Sequence, residues 1–315
     1  MITLLPEAPF AARKRDRLLD YQAYKTEAED LIRRIPNAAK KLSDPIWLDG
    51  RDEAALVRLT YARAEYAIDL LSLSYSAGTD VKLLREFLPA LLAGLITQGS
   101  HIALRDLAFQ EANRLLSFAI LLGWPEYVPR IMAIIDYNNP RDGMIERLAA
   151  MYMERPQPLP SECLRHLPYY KTLAIFDAPA AERPGLMQDY LDDWYQASRR
   201  EPYYDSHSKG NQFLGYWSWE AAAITTALRI DDALYRDHEF YPRDMADLGK
   251  QKGGAGIPGS ALTLETRAKA GDACPVAGTW ESIGIPTQRA EYAKDAKMQD
   301  LGSPYGLTVW RLLQN

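Results

Sequence analysis

Apolar residues recur at helical spacing through the first two thirds of the chain. Between residues 52 and 75 they stand three, four or seven positions apart, which is the period of a helix that buries one face. These residues are Leu56, Leu59, Tyr66, Leu70 and Leu73. The same period, with capping residues and prolines as boundaries, predicts seven further helices. They span residues 81–96, 103–122, 126–136, 141–153, 161–176, 185–199 and 210–228.

Prolines divide these helices into two groups. Three prolines lie within residues 156–160, where no helix can continue because proline lacks an amide donor. We therefore expect an N-terminal helical domain over residues 1–155 and a C-terminal helical domain over residues 161–250. Residues 251–315 are rich in Gly and Pro, and residues 305–312 are aromatic and β-branched enough for a strand. The predicted fold is mainly α, a multi-helix bundle of two helical parts with an irregular C-terminal segment that contains a short strand or hairpin.

Composition places the chain among folded proteins and argues against two partner classes. Hydrophobic residues make up 47% and charged residues 25%, and the net charge is −5. A nucleic-acid binder would carry a basic surface, which this composition does not supply. The chain has no run of 18 apolar residues and no export signal at its start, so we expect no membrane partner, a cytoplasmic location, and reduced thiols at Cys163 and Cys274. A homodimer is left open.

Negative charge is concentrated in one stretch. Residues 188–247 carry twelve acidic and six basic side chains, whereas the rest of the chain is nearly neutral. An acidic face can steer and hold a basic partner, and it can also be a solvated surface without any partner; charge alone does not separate these readings. The acidic residues proposed to contact a partner are Asp189, Asp192, Asp193, Asp205, Asp231, Asp232, Asp237, Glu239, Asp244 and Asp247.

Few residues point to catalysis. Glu220 heads an apolar helix, where it is either a catalytic carboxylate with a raised pKa or a buried carboxylate satisfied by nearby donors. The second reading is favoured because no spacing selects a second acid to act with it. His207 and His238 lack the spacing of metal ligands, and no phosphate loop, nucleophile elbow or dinucleotide motif is present. We predict no catalytic residue, metal or cofactor, and we expect Cys274 to be a small packed residue.

Two segments taken together resemble the PoNi immunity proteins. The first is residues 75–84, YSAGTDVKLL. The second combines Trp194-Tyr195, His207, residues 215–224 (GYWSWEAAAI), Asp231-Asp232 and residues 241–244 (YPRD), and it is the more specific of the two. The resemblance covers about residues 10–248. The motif residues expected to be structural are Tyr75, Gly78, Gly215, Tyr216, Trp217, Trp219, Glu220, Tyr241 and Pro242.

The resemblance implies a mostly helical, non-enzymatic protein of interbacterial competition. Such a protein binds and neutralises a cognate antibacterial toxin encoded by a neighbouring gene, often a PD-(D/E)xK DNase delivered by a type VI or related secretion system. It protects the producing cell and its kin, and an acidic protein suits the basic groove of a nuclease. Residues 250–315 continue past the family signature and are similar to C-terminal segments of other helical immunity proteins, which leaves the toxin's chemistry open.

Two other functions remain open on the sequence alone. One is an all-helical carbohydrate-active hydrolase that uses Glu220 and a second carboxylate. The other is a helical scaffold without a toxin partner.

Overall fold

Helices occupy the chain up to Lys252, and short strands follow. The computed structural model describes residues 2–50, 53–97, 108–136, 141–210, 212–252, 266–283, 288–301 and 308–313, and within them the fold is mainly α, as predicted. The helices are α1 (Glu7–Arg13), α2 (Tyr21–Ser43), α3 (Pro45–Leu48), α4 (Glu53–Ser76), α5 (Val81–Thr97), α6 (Ala108–Leu121), α7 (Val128–Ile135), α8 (Gly143–Ala150), α9 (Lys171–Asp177), α10 (Arg183–Ala197), α11 (Trp219–Ala227) and α12 (Arg243–Lys252), with a short 3-10 helix at Pro125–Tyr127. None of the described helices combines the length and apolar character needed to cross a bilayer.

Two helices are shorter than their sequence pattern predicts. Residues 161–170 form turns and α9 begins only at Lys171, because Pro168 cannot donate a helical hydrogen bond. Residues 212–218 have no regular secondary structure and α11 begins at Trp219. The cause is Gly215, whose φ of +95° is incompatible with a right-handed helix. The start predicted at residue 103 lies outside the described residues.

Helix α11 lies at the centre of the apolar core. Every one of its nine residues is buried. It packs against α6 and α12, and its alanines allow these helices to approach closely. Residues from both sides of the 156–160 proline segment, such as Phe118 and Trp219, belong to one core. Asn113 of α6 also donates a 3.0 Å hydrogen bond to Glu220 of α11. The division into two helical domains stays a prediction.

The C-terminal segment is more regular than predicted. Its strands form one antiparallel sheet in the order β1-β4-β2-β3. Trp280 and Trp310 are fully buried in a core of the sheet's own, together with Cys274, which is packed as expected. Short strands present too few residues for a period-two pattern, so only β4 could be anticipated. The strands are β1 (Arg267–Lys269), β2 (Gly278–Ile283), β3 (Arg289–Tyr292) and β4 (Val309–Leu312).

One cluster of carboxylates lies between α4 and α6. Arg114 pairs with Asp69 at 2.7 Å and with Glu111 at 3.2 Å, and it is nearly buried with them. Glu65 stands beside these groups without an ion pair of its own that the described residues show. Burial and the neighbouring carboxylates raise the pKa of Glu65 to about 7.

Glu65→Gln is expected to stabilise the protein at high pH only. Between about pH 4.5 and pH 7 the folded state holds the proton of Glu65 more tightly than the unfolded state, so stability falls as pH rises through this window. Solvent screening of the half-buried group reduces the effect, and we expect the variant to gain roughly 1–2 kcal/mol at pH 8 and little at pH 4. Urea unfolding at the two pH values measures this. The prediction would be contradicted if Glu65→Gln gained the same stability at both pH values. It would also be contradicted if Glu29→Gln, on the exposed face of α2, gained as much.

Candidate functional site

The two sequence motifs pack against each other. Ser76, at the end of α4, accepts a 2.8 Å hydrogen bond from Nε1 of Trp217 and donates one of 2.5 Å to the carbonyl oxygen of Leu214. Gly215 lies between these contacts, and a Cβ atom at this position would overlap the hydroxyl of Ser76. The second motif therefore needs glycine at the point where the first motif approaches it.

Aromatic rings fill the junction between the motifs. The ring of Tyr75 meets those of Trp217 and Trp219 edge to face, with centroids 5.0 and 5.3 Å apart. Trp219 meets Phe118 of α6 in the same way at 4.9 Å. All four rings are buried, and so is Pro242 at the end of the second motif. The motif aromatics are core residues.

The N-terminal segment ties the junction together. Arg15 donates 2.9 Å hydrogen bonds to the carbonyl oxygens of Tyr75 and Thr79, and its guanidinium lies 4.4 Å from the centre of the Tyr75 ring. The same side chain pairs with Asp244 at 2.6 Å. Gly78, in the turn between Tyr75 and Thr79, has a φ of +94°. One arginine thus joins the N-terminal segment to both motifs.

Two motif tyrosines hold polar partners. The amide of Tyr216 donates to Asp16 at 3.0 Å, and its hydroxyl lies 2.7 Å from Nδ1 of His207. The hydroxyl of Tyr241 donates to Asp232 at 3.0 Å. These contacts fix the backbone around the junction. They also place the imidazole of His207 against the hydroxyl of Tyr216.

Glu220 is a buried carboxylate whose oxygens are fully engaged. Oε1 accepts hydrogen bonds from the hydroxyl of Tyr190 (2.7 Å), Nε1 of Trp194 (2.8 Å) and the hydroxyl of Ser218 (2.6 Å). Oε2 accepts one from Asn113 at 3.0 Å. Only 2% of Glu220 is exposed. This arrangement joins three helices and offers a substrate no access to the carboxylate, which agrees with the structural reading.

Six of the ten acidic residues proposed as partner contacts pair with basic side chains of the same chain. Four of the bases, Arg15, Arg17, Lys171 and Lys250, come from segments other than that of their partner acid. The local charge count therefore overstates the acidity of this surface. The six paired acids are Asp193, Asp232, Asp237, Glu239, Asp244 and Asp247.

Asp232 is the most enclosed of the six. It is 7% exposed and accepts from Lys250 at 2.9 Å, Arg236 at 3.3 Å and Tyr241 at 3.0 Å. Burial acts to raise the pKa of Asp232, but these partners outweigh it and the pKa is lowered. Through Lys250, the side chain of Asp232 joins α12 to the segment after α11.

The other four acids differ in what surrounds them. Asp205 accepts a 2.7 Å hydrogen bond from the hydroxyl of Tyr195. Asp192 lies 3.5 Å from His238, whose pKa is lowered by burial, so that the imidazole is neutral near pH 7. Asp189 and Asp231 form no salt bridge with any described residue. None of these four side chains is paired with an arginine or lysine among the described residues.

An open groove of about 630 Å³ lies between the start of α10 and the segment after α11. Three carboxylates line it, and no basic residue among the described ones does. Its apolar part includes Leu234, which is 60% exposed. We call this feature the acidic groove. It is defined by Glu182, Gly185, Leu186, Asp189, Asp231 and Leu234.

The described residues contain no group of three or more His, Cys, Asp or Glu side chains placed to hold a metal ion. His207 and His238 lie beside Tyr216 and Asp192, in separate surroundings. His101 lies outside the described residues.

Residues 141–245 match a family model described as PoNe immunity proteins (PoNi), C-terminal. This part of the chain is similar to the C-terminal region of PoNi immunity proteins. The resemblance drawn from the second motif is thereby confirmed, and the match supports an immunity-protein role. The N-terminal signature over residues 75–84 lies outside the match and stays a prediction.

The matched region, residues 141–245, contains the Glu220 contacts of α10 and α11 and the whole acidic groove. The fold is similar to that in the crystal structure of protein PA2201 from Pseudomonas aeruginosa, with 17% sequence identity, 76% of this chain and 91% of that chain covered, and a TM-score of 0.61. At this identity the likeness concerns the fold alone. No curated protein matches the chain.

Sequence reasoning missed four of the six residues that define the groove: Glu182, Gly185, Leu186 and Leu234. Glu182 lies just before the stretch in which charges were counted. Gly185 was expected only to begin a helix. Leu234 carried a usable signal, since it is a leucine among charged residues outside any predicted helix.

Proposed function

We propose that the protein is an immunity protein that binds a cognate antibacterial toxin and neutralises it by covering the toxin's active site. The observation that carries this proposal is the match of residues 141–245 to the family model of the PoNi C-terminal region. The toxin is encoded by a neighbouring gene, is delivered by a type VI or related secretion system, and acts as a nuclease. The immunity protein works in the cytoplasm of the producing cell.

The charge distribution supports a basic partner. Asp189, Asp192 and Asp231 carry negative charge without an arginine or lysine partner among the described residues. A nuclease presents a basic cleft to nucleic acid, and complementary charges speed association and orient the two proteins. Inhibition of this kind requires no reacting group on the immunity protein.

The hydrolase alternative gains no support from Glu220. A glycosidase needs two carboxylates that flank a bound sugar. Glu220 is buried and its oxygens are occupied by four donors of the same chain.

We expect the protein to rescue growth when it is co-expressed with the toxin domain encoded beside its gene. Toxin alone should stop growth of a bacterial host, and the two proteins should co-purify as a complex. Isothermal titration calorimetry at rising salt measures the affinity, which should weaken as ions screen the charges.

A catalytically dead toxin domain is the matched control, because it should bind without being toxic. The proposal is overturned if the neighbouring toxin domain kills the host equally with and without the protein and forms no complex with it.

A further inference from the structure

We propose that the toxin binds at the acidic groove, where it places a basic segment in which an apolar side chain is flanked by Arg or Lys. This proposal rests on the proposed function above and assigns the surface through which that function operates.

The groove collects carboxylates that form no ion pair. Asp193, Asp237 and Asp247 of the same region each form a salt bridge with an arginine or lysine, whereas the three acids that line the groove form none with the described residues, and Lys171, the partner of Asp193, acts on Asp189 only by a longer-range electrostatic attraction. Arg183, which follows Glu182, donates a 3.0 Å hydrogen bond to the carbonyl oxygen of Ala178, and neither Arg183 nor Arg229, two positions before Asp231, lines the groove. A cationic segment is the complementary occupant.

The acidic surface continues beyond the groove along α10. Asp192 follows Asp189 by three positions, so the two side chains lie on neighbouring parts of one helix face. Neither pairs with a described arginine or lysine. A basic segment that enters the groove can therefore meet further negative charge along this helix.

Leu234 supplies an apolar anchor. Its neighbour Tyr235 is buried, with its hydroxyl 2.8 Å from that of Thr225, and Asp231 accepts the amide of Ala233 at 3.1 Å. These contacts hold Leu234 facing solvent. A single exposed leucine is ordinary on a protein surface, but Leu234 lines a concave groove rimmed by acids. Burying the exposed part of the Leu234 side chain against a partner would add apolar contact to the complex.

Both walls of the groove are rigidly held. The α10 wall is anchored through Tyr190 and Trp194, which donate to buried Glu220. The opposite wall is anchored through Asp232, which binds Lys250 at 2.9 Å. A partner therefore meets a preformed surface and loses little free energy to ordering it.

The groove fits a protein segment better than other ligands. It is open rather than enclosed, so a small molecule would leave much of its surface in water. Its carboxylates repel nucleic acid. The groove presents both carboxylates and a leucine side chain. This surface is complementary to a segment in which an apolar side chain lies between cationic ones.

Three variants test the groove. Asp189→Lys/Asp231→Lys reverses its charge, and we expect affinity for the neutralised toxin domain to fall about 100-fold or more. Leu234→Ala removes the anchor and should weaken binding about 10-fold. Gly185→Trp should block the groove and weaken binding at least about 100-fold. A Cβ atom at Gly185 meets nothing within 4 Å, so this helical position can accept a side chain.

Matched controls change equivalent groups elsewhere. Glu29→Lys/Glu162→Lys reverses two exposed acids that form no salt bridge with described residues, and Ile46→Ala truncates an apolar side chain that is 87% exposed. We expect both to bind within about 3-fold of wild type. Circular dichroism and thermal melting confirm that every variant is folded.

Photo-crosslinking gives a second readout that does not depend on substitution effects. A photoreactive amino acid at position 234 should crosslink to the bound toxin domain, and one at position 46 should not. If the wild type binds the toxin while the groove variants bind equally well and position 234 yields no crosslink, the groove proposal is overturned and the proposed function stands. If the wild type binds no toxin, both fail.

Discussion

Glu220→Ala should destabilise the protein more than the substitution of any exposed acid. The change removes the acceptor shared by Tyr190, Trp194, Ser218 and Asn113. Each buried donor left without a partner costs about 1–3 kcal/mol, and the missing carboxylate also leaves a cavity. Even with relaxation we expect a loss of about 4 kcal/mol or more, a large share of the roughly 5–15 kcal/mol that typically stabilises a domain. Guanidinium unfolding followed by circular dichroism measures it.

Glu220→Gln separates the charge from the hydrogen bonds. The amide oxygen can still accept from Tyr190, Trp194 and Ser218, but the amide nitrogen then faces the donor of Asn113, which must rotate. We expect an intermediate loss of about 2 kcal/mol. Glu162→Ala, at an exposed acid, should change stability by less than about 0.5 kcal/mol. Unfolding midpoints of Glu220→Ala and Glu162→Ala that coincide would show that the Glu220 network does not stabilise the fold.

The periodicity of apolar residues predicted the bounds of one long helix closely. Helix α4 was predicted over residues 52–75 and lies at Glu53–Ser76. Helix α11 was predicted too long at its start because apolar and aromatic residues continue into the irregular segment that precedes it. What ends the helix is Gly215, whose backbone conformation is set by contact with distant Ser76. Long-range packing of this kind leaves no period in the sequence.

The sequence singled out Glu220, but it did not show which side chains donate hydrogen bonds to its carboxylate. Its donors come from α6 and α10 as well as from Ser218, and the pattern of one helix carries no information on which others surround it. The acidic stretch shows the same limit. Arg15 and Arg17 neutralise Asp244 and Glu239 from the opposite end of the chain, so counting charges along the sequence could not reveal which acids stay unpaired.

Ion pairing divides the acidic residues of this stretch into those that hold segments of the fold together and those that are available to a partner. Asp232 and Asp244 join segments that are distant in sequence, and their substitution would disturb the fold before any interface. Asp189 and Asp231 form no salt bridge that joins distant segments of the described residues, and Asp231 accepts only the nearby amide of Ala233, so their substitution should disturb the fold less. A variant that substitutes all ten acids together would combine a loss of stability with a loss of binding, so the two effects could not be separated.

Gly215→Ala and Gly78→Ala should each destabilise the protein by about 3 kcal/mol or more. Both positions have a positive φ, +95° and +94°. This backbone conformation costs a residue with a Cβ atom on the order of 1–3 kcal/mol. At both, the added Cβ would also overlap other atoms: the Ser76 hydroxyl at Gly215, and the backbone carbonyl of Arg13 at Gly78. Each substitution therefore pushes apart segments that meet at the motif junction. Thermal or denaturant unfolding measures the loss.

Two other glycines separate backbone strain from overlap. Gly210 has a φ of +66° but nothing within 4 Å of an added Cβ, so Gly210→Ala should lose only about 1 kcal/mol. Gly185 has open space and lies in a helix, so Gly185→Ala should gain about 0.5–1 kcal/mol. If Gly215→Ala loses no more than Gly210→Ala, the close approach of the two motifs contributes nothing, and the motif glycines are required for their backbone conformation alone.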